Sequence, residues 1–447
     1  MNKTVLFGGS VIAVGIIVVG SFLVHDRIVN PNDSQQSAEA PVATPLSAEA
    51  KTSIDKGRYV AIAGDCVACH TAPGSGNPFA GGYALQTPFG SIVASNITSD
   101  RDTGIGDWTE AQFDRAVRRG VGRSGEHLYP AMPYTSYAKM TDDDLHNLWA
   151  YMKTVPAVNN PVDSNQLPFP FNIRLLMIGW NLLFFSDHPI SPPSGSSAQW
   201  ARGQYLVEGL EHCASCHTPK NAFGGDSSRA LQGAWLQGWY APEITNSKTS
   251  GIGDWSEQQI VDYLQTGGNH MAMASGPMAE AVTNSTQHLT QDDLASIAVY
   301  LKSIKGSVAA KPAAVPVVDP VMAQGKRVFA GQCEACHASA GTGIPSMVPR
   351  FAGNNAIQAP NTENLVRTVL QGGQGAMTQS NPTGAAMPSF AWNLTDEQIA
   401  SVLTYIRNDW GNSAAPVSAD TVAKTRASMT FRNTGPVPDD WQKNKAQ

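Results

Sequence analysis

All six cysteines of this 447-residue chain fall in three copies of one motif, Cys-x-x-Cys-His. The copies are Cys66–His70, Cys213–His217 and Cys333–His337. Two thiols one helical turn apart can each add to a haem vinyl group, and the adjacent His then lies under the iron. The motif therefore predicts three covalently bound haem c groups. Their attachment residues are Cys66, Cys69, Cys213, Cys216, Cys333 and Cys336, and their proximal iron ligands are His70, His217 and His337.

Other uses of paired cysteines fit the pattern less well. A structural zinc site needs four soft ligands, usually two such pairs brought together, and these pairs are more than a hundred residues apart. A thioredoxin-like site needs a βαβ context, which the sequence does not predict. Three short disulfides would leave the His after each pair unexplained.

The residues around each motif form an internal repeat. Helices are predicted at residues 55–69, 201–216 and 323–336, with a glycine near each start (Gly57, Gly203 and Gly325). Closing helices begin at Thr141, Thr290 and Thr395, each followed three residues later by an acid or amide, as in a capped helix. Each closing helix carries an apolar face and a tyrosine: Tyr151, Tyr300 and Tyr405. We expect the two helices of each copy to cross, with the glycine allowing close approach and the tyrosine filling the contact.

A methionine is predicted as the second axial ligand in each copy. Met132, Met278 and Met387 lie 66, 65 and 54 residues after the first Cys, on loops that contain proline. A thioether ligand raises the haem potential, whereas an imidazole lowers it. Other side chains are alternative candidates for this ligand. A further alternative is that each of the three Met only fills a hydrophobic core. The competitors are His127 for the first iron, His270, Met271 and Met273 for the second, and Met377 for the third.

The first two copies share a further stretch, Gly-Ile-Gly-Asp-Trp, which ends at Trp108 and Trp255. Both tryptophans lie 42 residues after the first Cys, and the shorter third copy lacks the stretch. The indole N–H groups are candidates to donate to haem propionates, and ordinary core aromatics are an equally good interpretation.

The amino terminus predicts export from the cytoplasm. The run Val5–Val24 is uncharged and about 30 Å long as a helix, which matches a bilayer core. We expect an uncleaved transmembrane anchor, with a cleaved signal peptide as the alternative. The formal charge of −6 offers no basic excess for nucleic acid.

Composition shifts and the repeats predict the domain layout. The anchor or signal (1–24) and a tether (25–50) precede the first haem domain. The remaining segments are domain one (51–160), an apolar connector (161–197), domain two (198–306), an Ala/Pro linker (307–320), domain three (321–411) and a tail (412–447).

The haem motifs, methionine loops and flanking helices resemble class I cytochrome c domains. The fold class is therefore expected to be mainly α, with three tandem domains of this kind. Over residues 50–410 the chain resembles the triheme cytochrome c subunits of membrane-bound alcohol, aldehyde, gluconate and sugar dehydrogenases. The stretches that carry this resemblance are 96–98, 103–108, 128–134, 169–172, 179–181 and 284–290.

The resemblance implies an electron-transfer subunit with no substrate-oxidising site of its own. Its partner would be a catalytic dehydrogenase subunit of the molybdenum-cofactor, pyrroloquinoline quinone or flavin type, with a further small subunit as an option. Aldehyde is the favoured substrate class, followed by alcohol, and ubiquinone is the implied acceptor. The implied location is the bacterial inner membrane, with the haem domains in the periplasm. A haem peroxidase and a cytochrome subunit of a terminal oxidase are the alternatives.

The segment Phe169–Phe185 is apolar almost all round but too short to span a bilayer. A connector packed between domains is one interpretation, and a surface for membrane, quinone or partner is the other. Because the predicted tether holds domain one near the membrane, we expect electrons to enter at the haem on His337. They would leave from domain one or two, near this segment.

Overall fold

The computed structural model describes residues 47–308 and 310–429. Contacts divide this part of the chain into two compact units, one comprising 47–61 and 69–189 and the other comprising 62–68 and 190–429. Helices carry most of the regular structure, and the described strands form small antiparallel ribbons. The expectation of a mainly α fold is confirmed.

The predicted membrane helix at Val5–Val24 lies outside the described residues. Among the helices between residues 47 and 429, none combines the length and apolar character needed to cross a bilayer.

The first copy of the repeat and the segment after it contain six helices and three strands. These are α1 (Ala48–Ala63), α2 (Cys66–Cys69), β1 (Ala84–Thr87), β2 (Gly90–Val93), α3 (Glu110–Arg119), α4 (Tyr134–Tyr137), α5 (Asp142–Met152), β3 (Asn165–Gln166) and α6 (Leu176–Phe184). The strands form one antiparallel sheet in the order β1-β2-β3, with Ala84 opposite Val93 and Ser91 opposite Gln166.

The second copy follows the same order with two added features, a π-helical turn and a 3₁₀ turn. Its elements are α7 (Ala198–Tyr205), the π turn (Leu206–Leu210), α8 (Ala214–His217), β4 (Gln232–Leu236), β5 (Trp239–Glu243), α9 (Glu257–Thr266), α10 (Pro277–Asn284), a 3₁₀ turn (Thr286–His288) and α11 (Gln291–Ser303). Strands β4 and β5 pair antiparallel, with Trp235 opposite Tyr240.

The third copy is shorter, and its described strands are one antiparallel pair of two residues each. Its elements are α12 (Pro320–Gln332), α13 (Glu334–His337), α14 (Asn355–Gln358), α15 (Glu363–Gln371), β6 (Gly373–Gln374), β7 (Ala386–Met387), α16 (Asp396–Ile406) and α17 (Ala419–Ser428). Helix α17 belongs to the predicted tail, yet Val422 is fully buried in the core of this copy. The first half of the tail is therefore folded against domain three.

The predicted helix crossing is present in all three copies. A Cβ placed on Gly57 would lie 1.8 Å from the carbonyl oxygen of Asn147 and 2.8 Å from Cβ of Tyr151. Only glycine allows two helix backbones to approach so closely. The same contact recurs with Gly203 against Ser296 and Tyr300, and with Gly325 against Ser401 and Tyr405. The structural role expected for these glycines and tyrosines is confirmed.

The closing helices α5, α11 and α16 begin at the predicted N-caps. The side chains of Thr141, Thr290 and Thr395 each accept a hydrogen bond from the backbone N–H three residues later, at 3.1 to 3.3 Å. At Thr395 the cap is reciprocal, because its own N–H donates to Oε1 of Gln398 at 2.9 Å.

The helix before each haem motif is interrupted, so the continuous helices expected from the sequence are wrong at this point. Helix α1 ends at Ala63, and Asp65, just before the first Cys, has a positive φ of 47°. In the second copy α7 continues into the π turn, and the break follows at Glu211 and His212, where His212 has a positive φ of 39°. The spacing from the crossing glycine to the first Cys explains the difference, since it is nine, ten and eight residues in the three copies. The wider π turn takes up the extra residue of the second copy.

Candidate haem sites

Each predicted attachment pair lies on one short helical turn. Cys66 and Cys69 lie in α2, and in the other two copies the first Cys is the N-cap residue of the turn that contains the second. All six cysteines lie outside any disulfide, and none is fully buried. One turn of helix separates the two sulfurs of each pair on the same side of the backbone, as attachment to one haem requires.

Burial raises the pKa of the Cys213 thiol, and it raises the pKa of the Cys333 thiol to about 11. Within residues 47–308 and 310–429, no three His, Cys, Asp or Glu side chains come together as a metal site. The cysteine pairs therefore do not meet in a closed zinc site.

Two of the predicted proximal histidines are held by equivalent backbone carbonyls. Nδ1 of His70 lies 2.7 Å from the carbonyl oxygen of Ser95, and Nδ1 of His217 lies 2.6 Å from that of Pro242. Because a carbonyl only accepts, Nδ1 carries the proton and Nε2 keeps its lone pair. Burial also lowers the pKa of both rings, so that both are neutral. An oriented, neutral imidazole with its Nε2 lone pair available is the form that binds iron.

The third histidine has a different environment. Nδ1 of His337 is buried without a hydrogen-bond partner, and its ring stacks on Phe351 with centroids 4.3 Å apart. Burial lowers its pKa to about 4, so this ring is also neutral. The third copy lacks the hairpin that precedes Ser95 in the first copy and contains Pro242 in the second.

Backbone hydrogen bonds place Met132 and Met278 at equivalent positions. Helices α3 and α9 both end at a glycine with positive φ, Gly120 and Gly267. The carbonyl of Gly120 accepts from the N–H of Leu128 at 2.8 Å, and that of Gly267 accepts from Ala274 at 2.7 Å. Each predicted ligand lies four residues after the donor, and both methionines are partly buried.

The rival side chains of the second copy lie elsewhere on the same loop. Met273 pairs with Gly268 across a bridge, just as His127 pairs with Val121 in the first copy. A Cβ on Gly268 would lie 2.2 Å from Sδ of Met273, so this thioether packs against the hairpin backbone. Met271 is buried, and its carbonyl accepts from Nδ2 of Asn354.

In the third copy the predicted ligand lies on a strand. Met387 in β7 pairs with Gly373, directly after α15, and is partly buried. Its rival Met377 is 51% exposed.

The Gly-Ile-Gly-Asp-Trp loops of the first two copies are also built alike. The N–H of Ile105 donates to the carbonyl of Thr98, and that of Ile252 donates to Thr245, both at 2.9 Å. In the second copy, Nζ of Lys302 donates to the carbonyl of Trp255 at 2.7 Å. Trp108 and Trp255 are both partly exposed, so neither is a fully buried core residue.

A pair of partly buried acids beside two attachment sites was not expected from the sequence. Asp65 directly precedes Cys66, and burial followed by the charge of Glu280 raises its pKa to about 8. Glu211 lies two residues before Cys213, and burial followed by the charge of Asp65 raises its pKa well above the usual range. Oδ1 of Asp65 and Oε1 of Glu211 are buried without hydrogen-bond partners. No local motif marks this pair, because its members are 146 residues apart in sequence.

Comparison with known proteins identifies the repeated domain. The cytochrome c family profile matches residues 54–156, 200–305 and 322–410, which is about two thirds of the chain. The chain is 38% identical to the gluconate 2-dehydrogenase cytochrome c subunit of Pantoea cypripedii, over 85% of this chain and 90% of the relative. It is also 38% identical to the fructose dehydrogenase cytochrome subunit of Gluconobacter japonicus, over 87% and 86% of the two chains.

A longer relative matches only in part. A nicotinate dehydrogenase subunit of Pseudomonas putida is 40% identical over 83% of this chain, but the match spans only 31% of that protein. The two cytochrome subunits, in contrast, match over most of both chains, and the cytochrome c profile matches this chain three times. The chain belongs to the cytochrome c family, among the cytochrome c subunits of dehydrogenases.

Proposed function

We propose that this chain is a triheme electron-transfer subunit, which carries electrons from a periplasmic catalytic dehydrogenase subunit to ubiquinone in the bacterial inner membrane. The observation that carries the proposal is the threefold recurrence of one unit. In each copy, a pair of helices crossed at a glycine is joined to a Cys-x-x-Cys-His turn. Three like haem domains in one chain are suited to passing single electrons from haem to haem.

The residues of each copy fit a six-coordinate haem. A bound haem c supplies reversible one-electron redox chemistry. The cysteines hold it covalently, the neutral histidine rings present Nε2 to iron, and the partly buried thioethers of Met132, Met278 and Met387 are the proposed opposite ligands. Because a filled sixth position leaves no open site for peroxide, this set favours electron transfer over the peroxidase alternative.

The substrate is proposed to belong to the partner subunit. Relatives of similar identity are named for gluconate, fructose and nicotinate dehydrogenases, so the same cytochrome type serves different substrates. For this chain we propose an aldehyde-oxidising partner, with an alcohol-oxidising one as the second choice. The cofactor of this partner would be of the molybdenum, pyrroloquinoline quinone or flavin type. The proposed complex also includes a further small subunit.

Purification of the complex from its native membrane tests this function. We expect three haems per chain, a co-purifying dehydrogenase subunit, and substrate-dependent reduction of a ubiquinone analogue. Replacing both cysteines of the second motif, Cys213→Ser with Cys216→Ser, should stop quinone reduction while the partner still reduces an artificial dye. A complex that oxidises reduced cytochrome with peroxide, and has no dehydrogenase partner, would contradict the proposal.

A further inference from the structure

We propose that an exposed apolar surface beside the first haem site rests on the lipid bilayer, at the boundary between headgroups and acyl chains. We call it the 169–183 surface. Its members are the large apolar side chains of Phe169, Phe171, Ile173, Leu175, Leu176, Leu182 and Leu183. The inference deepens the proposed function and rests on it, because it identifies where the subunit meets the membrane that holds its acceptor.

The surface differs from the scattered apolar residues of an ordinary protein surface, because seven large apolar side chains of one segment are exposed together. Phe169 is 79% exposed, Leu183 is 72% and Leu182 is 65%, and the other members are between 39% and 52%. Helix α6 has no buried residue at all. Scattered apolar residues are normal on protein surfaces, but a contiguous apolar patch marks a contact site. These side chains therefore do not contribute to the buried core of their own unit.

Two polar side chains of the segment, Arg174 and Asn181, hydrogen-bond to their own domain, whereas the uncharged Asn172 is exposed. Arg174 is the one charged residue between Phe169 and Phe185. Its guanidinium donates to the carbonyl of His127 and to Oγ of Ser164, both at 3.0 Å. Asn181 accepts a hydrogen bond from the hydroxyl of Tyr134 at 2.7 Å. The outward surface is consequently free of charge, whereas transient protein interfaces carry a polar rim.

The length of α6 excludes a spanning role and fits a helix that lies in the membrane plane. Nine helical residues rise about 14 Å, less than half the thickness of a bilayer core. Its internal hydrogen bonds satisfy most of its backbone, so only side chains need to enter the acyl region. Short apolar helices of this kind bind at the interface in proportion to their buried apolar area.

The chain outside the structure points to lipid as the occupant. The apolar run Val5–Val24 is long enough to span a bilayer, and only 22 residues separate it from the described chain at residue 47. Even when fully extended, 22 residues reach at most roughly 75 Å. Residue 47 and α6 belong to the same compact unit. This unit is thus held within reach of the bilayer. Its exposed large apolar side chains are those of the 169–183 surface, so this surface is the one suited to contact lipid.

The position of the surface also explains how quinone would reach a haem. Tyr129 donates from its hydroxyl to the carbonyl of Phe171 at 2.7 Å, and its own carbonyl accepts from the N–H of Met132 at 3.1 Å. Tyr134 connects the same loop to Asn181. The loop that carries the proposed Met132 ligand is therefore directly attached to the segment proposed to face lipid. A quinone dissolved in the bilayer would meet the protein at this loop.

Photolabelling by lipids tests the inference on the intact complex. The full-length, haem-loaded complex is reconstituted into phosphatidylcholine vesicles that contain a phosphatidylcholine with an acyl-chain diazirine. After illumination, adducts are mapped by peptide mass spectrometry. We expect adducts within residues 169–185. The matched controls are Phe223 and Trp392, which are 72% and 81% exposed but lie in the other compact unit, and we expect no adducts there.

Charged variants sharpen the test. The double variant Leu182→Asp, Leu183→Asp should lower labelling of residues 169–185 at least about tenfold, because carboxylates disfavour the acyl boundary. Phe223→Asp should leave that labelling unchanged, and both variants should keep the parent haem content. Absence of adducts in the parent protein, or labelling of Phe223 and Trp392 as strong as that of residues 169–185, would overturn the inference. Because labelling needs no electron transfer, failure of quinone reduction alone would count against the proposed function only.

Discussion

The backbone N–H of Ala274 donates to the carbonyl of Gly267 at 2.7 Å, in the same register as Leu128 and Gly120. This bond places Met278, rather than Met273, at the position that Met132 occupies in the first copy. Met278→Ala should therefore abolish the thioether-to-iron charge-transfer band of one haem and lower the potential of that haem, since a thioether raises it. The matched variant Met273→Ala should keep both. Absorption spectra and redox titration of the two variants decide the assignment, and loss of the band in Met273→Ala alone would reverse it.

The haem content of the mature chain is the next prediction. Three Cys-x-x-Cys-His turns without disulfides should hold three covalent haems. Acid-acetone extraction should leave all haem on the polypeptide, and a pyridine haemochrome assay should give three haems per chain. The variant Cys333→Ser with Cys336→Ser should give two. A ratio of two in the parent protein would eliminate one of the proposed sites.

The third prediction concerns the direction of electron flow. If electrons enter at the third haem, His337→Ala in an assembled complex should stop substrate-driven reduction of the other two haems. His70→Ala, at the proposed exit, should instead leave the second and third haems reducible by substrate. Stopped-flow spectra at the haem absorption bands separate these cases. Normal reduction of two haems in the His337→Ala complex would show that electrons enter elsewhere.

The helix crossing of the third copy predicts that replacing two glycines of α12 by alanine has opposite effects on the stability of this domain. A Cβ on Gly325 would lie 2.2 Å from the carbonyl oxygen of Ser401, so Gly325→Ala should destabilise this domain by roughly 1–3 kcal/mol. Gly331 in the same helix has no atom within 4 Å of such a Cβ. Gly331→Ala should therefore stabilise by up to about 1 kcal/mol through helix propensity. Urea unfolding of the two variants measures both effects, and equal effects would refute the close crossing.

Burial of Asp65 predicts a pH dependence of stability. Its pKa is raised to about 8 from the ordinary value of 3.8. The folded state thus holds this proton more tightly than the unfolded state, so stability decreases as pH rises between about 4 and about 8. Asp65→Asn should remove that part of the decrease and be more stable than the parent at pH 8 by roughly 1–3 kcal/mol. Urea midpoints at pH 5 and pH 8 check this, and parallel curves for parent and variant would contradict it.

The features that the sequence predicted correctly depend on neighbours within one or two helical turns. Thr141, Thr290 and Thr395 cap their helices because the cap hydrogen bond reaches only three residues ahead. The crossing of Gly57 with Tyr151 joins distant residues, yet it was predictable because the same pair recurs in three copies. The threefold repeat within the chain made this long-range contact predictable, although no local sequence rule describes it.

The remaining features depend on where the chain returns to itself, and only the tertiary structure decided them. The bonds from His70 to Ser95 and from His217 to Pro242 share a spacing of 25 residues, but a carbonyl has no signature in sequence. The pairing of Asp65 with Glu211 and the exposure of Leu182 and Leu183 are likewise products of packing. Burial is a property of the surroundings of a residue, so an apolar run such as 169–185 predicts a contact without saying whether protein or membrane supplies it. The sequence by itself determined the haem motifs, the repeat and the helix caps, whereas long-range packing decided the orientation of the ligands and which apolar side chains face outward.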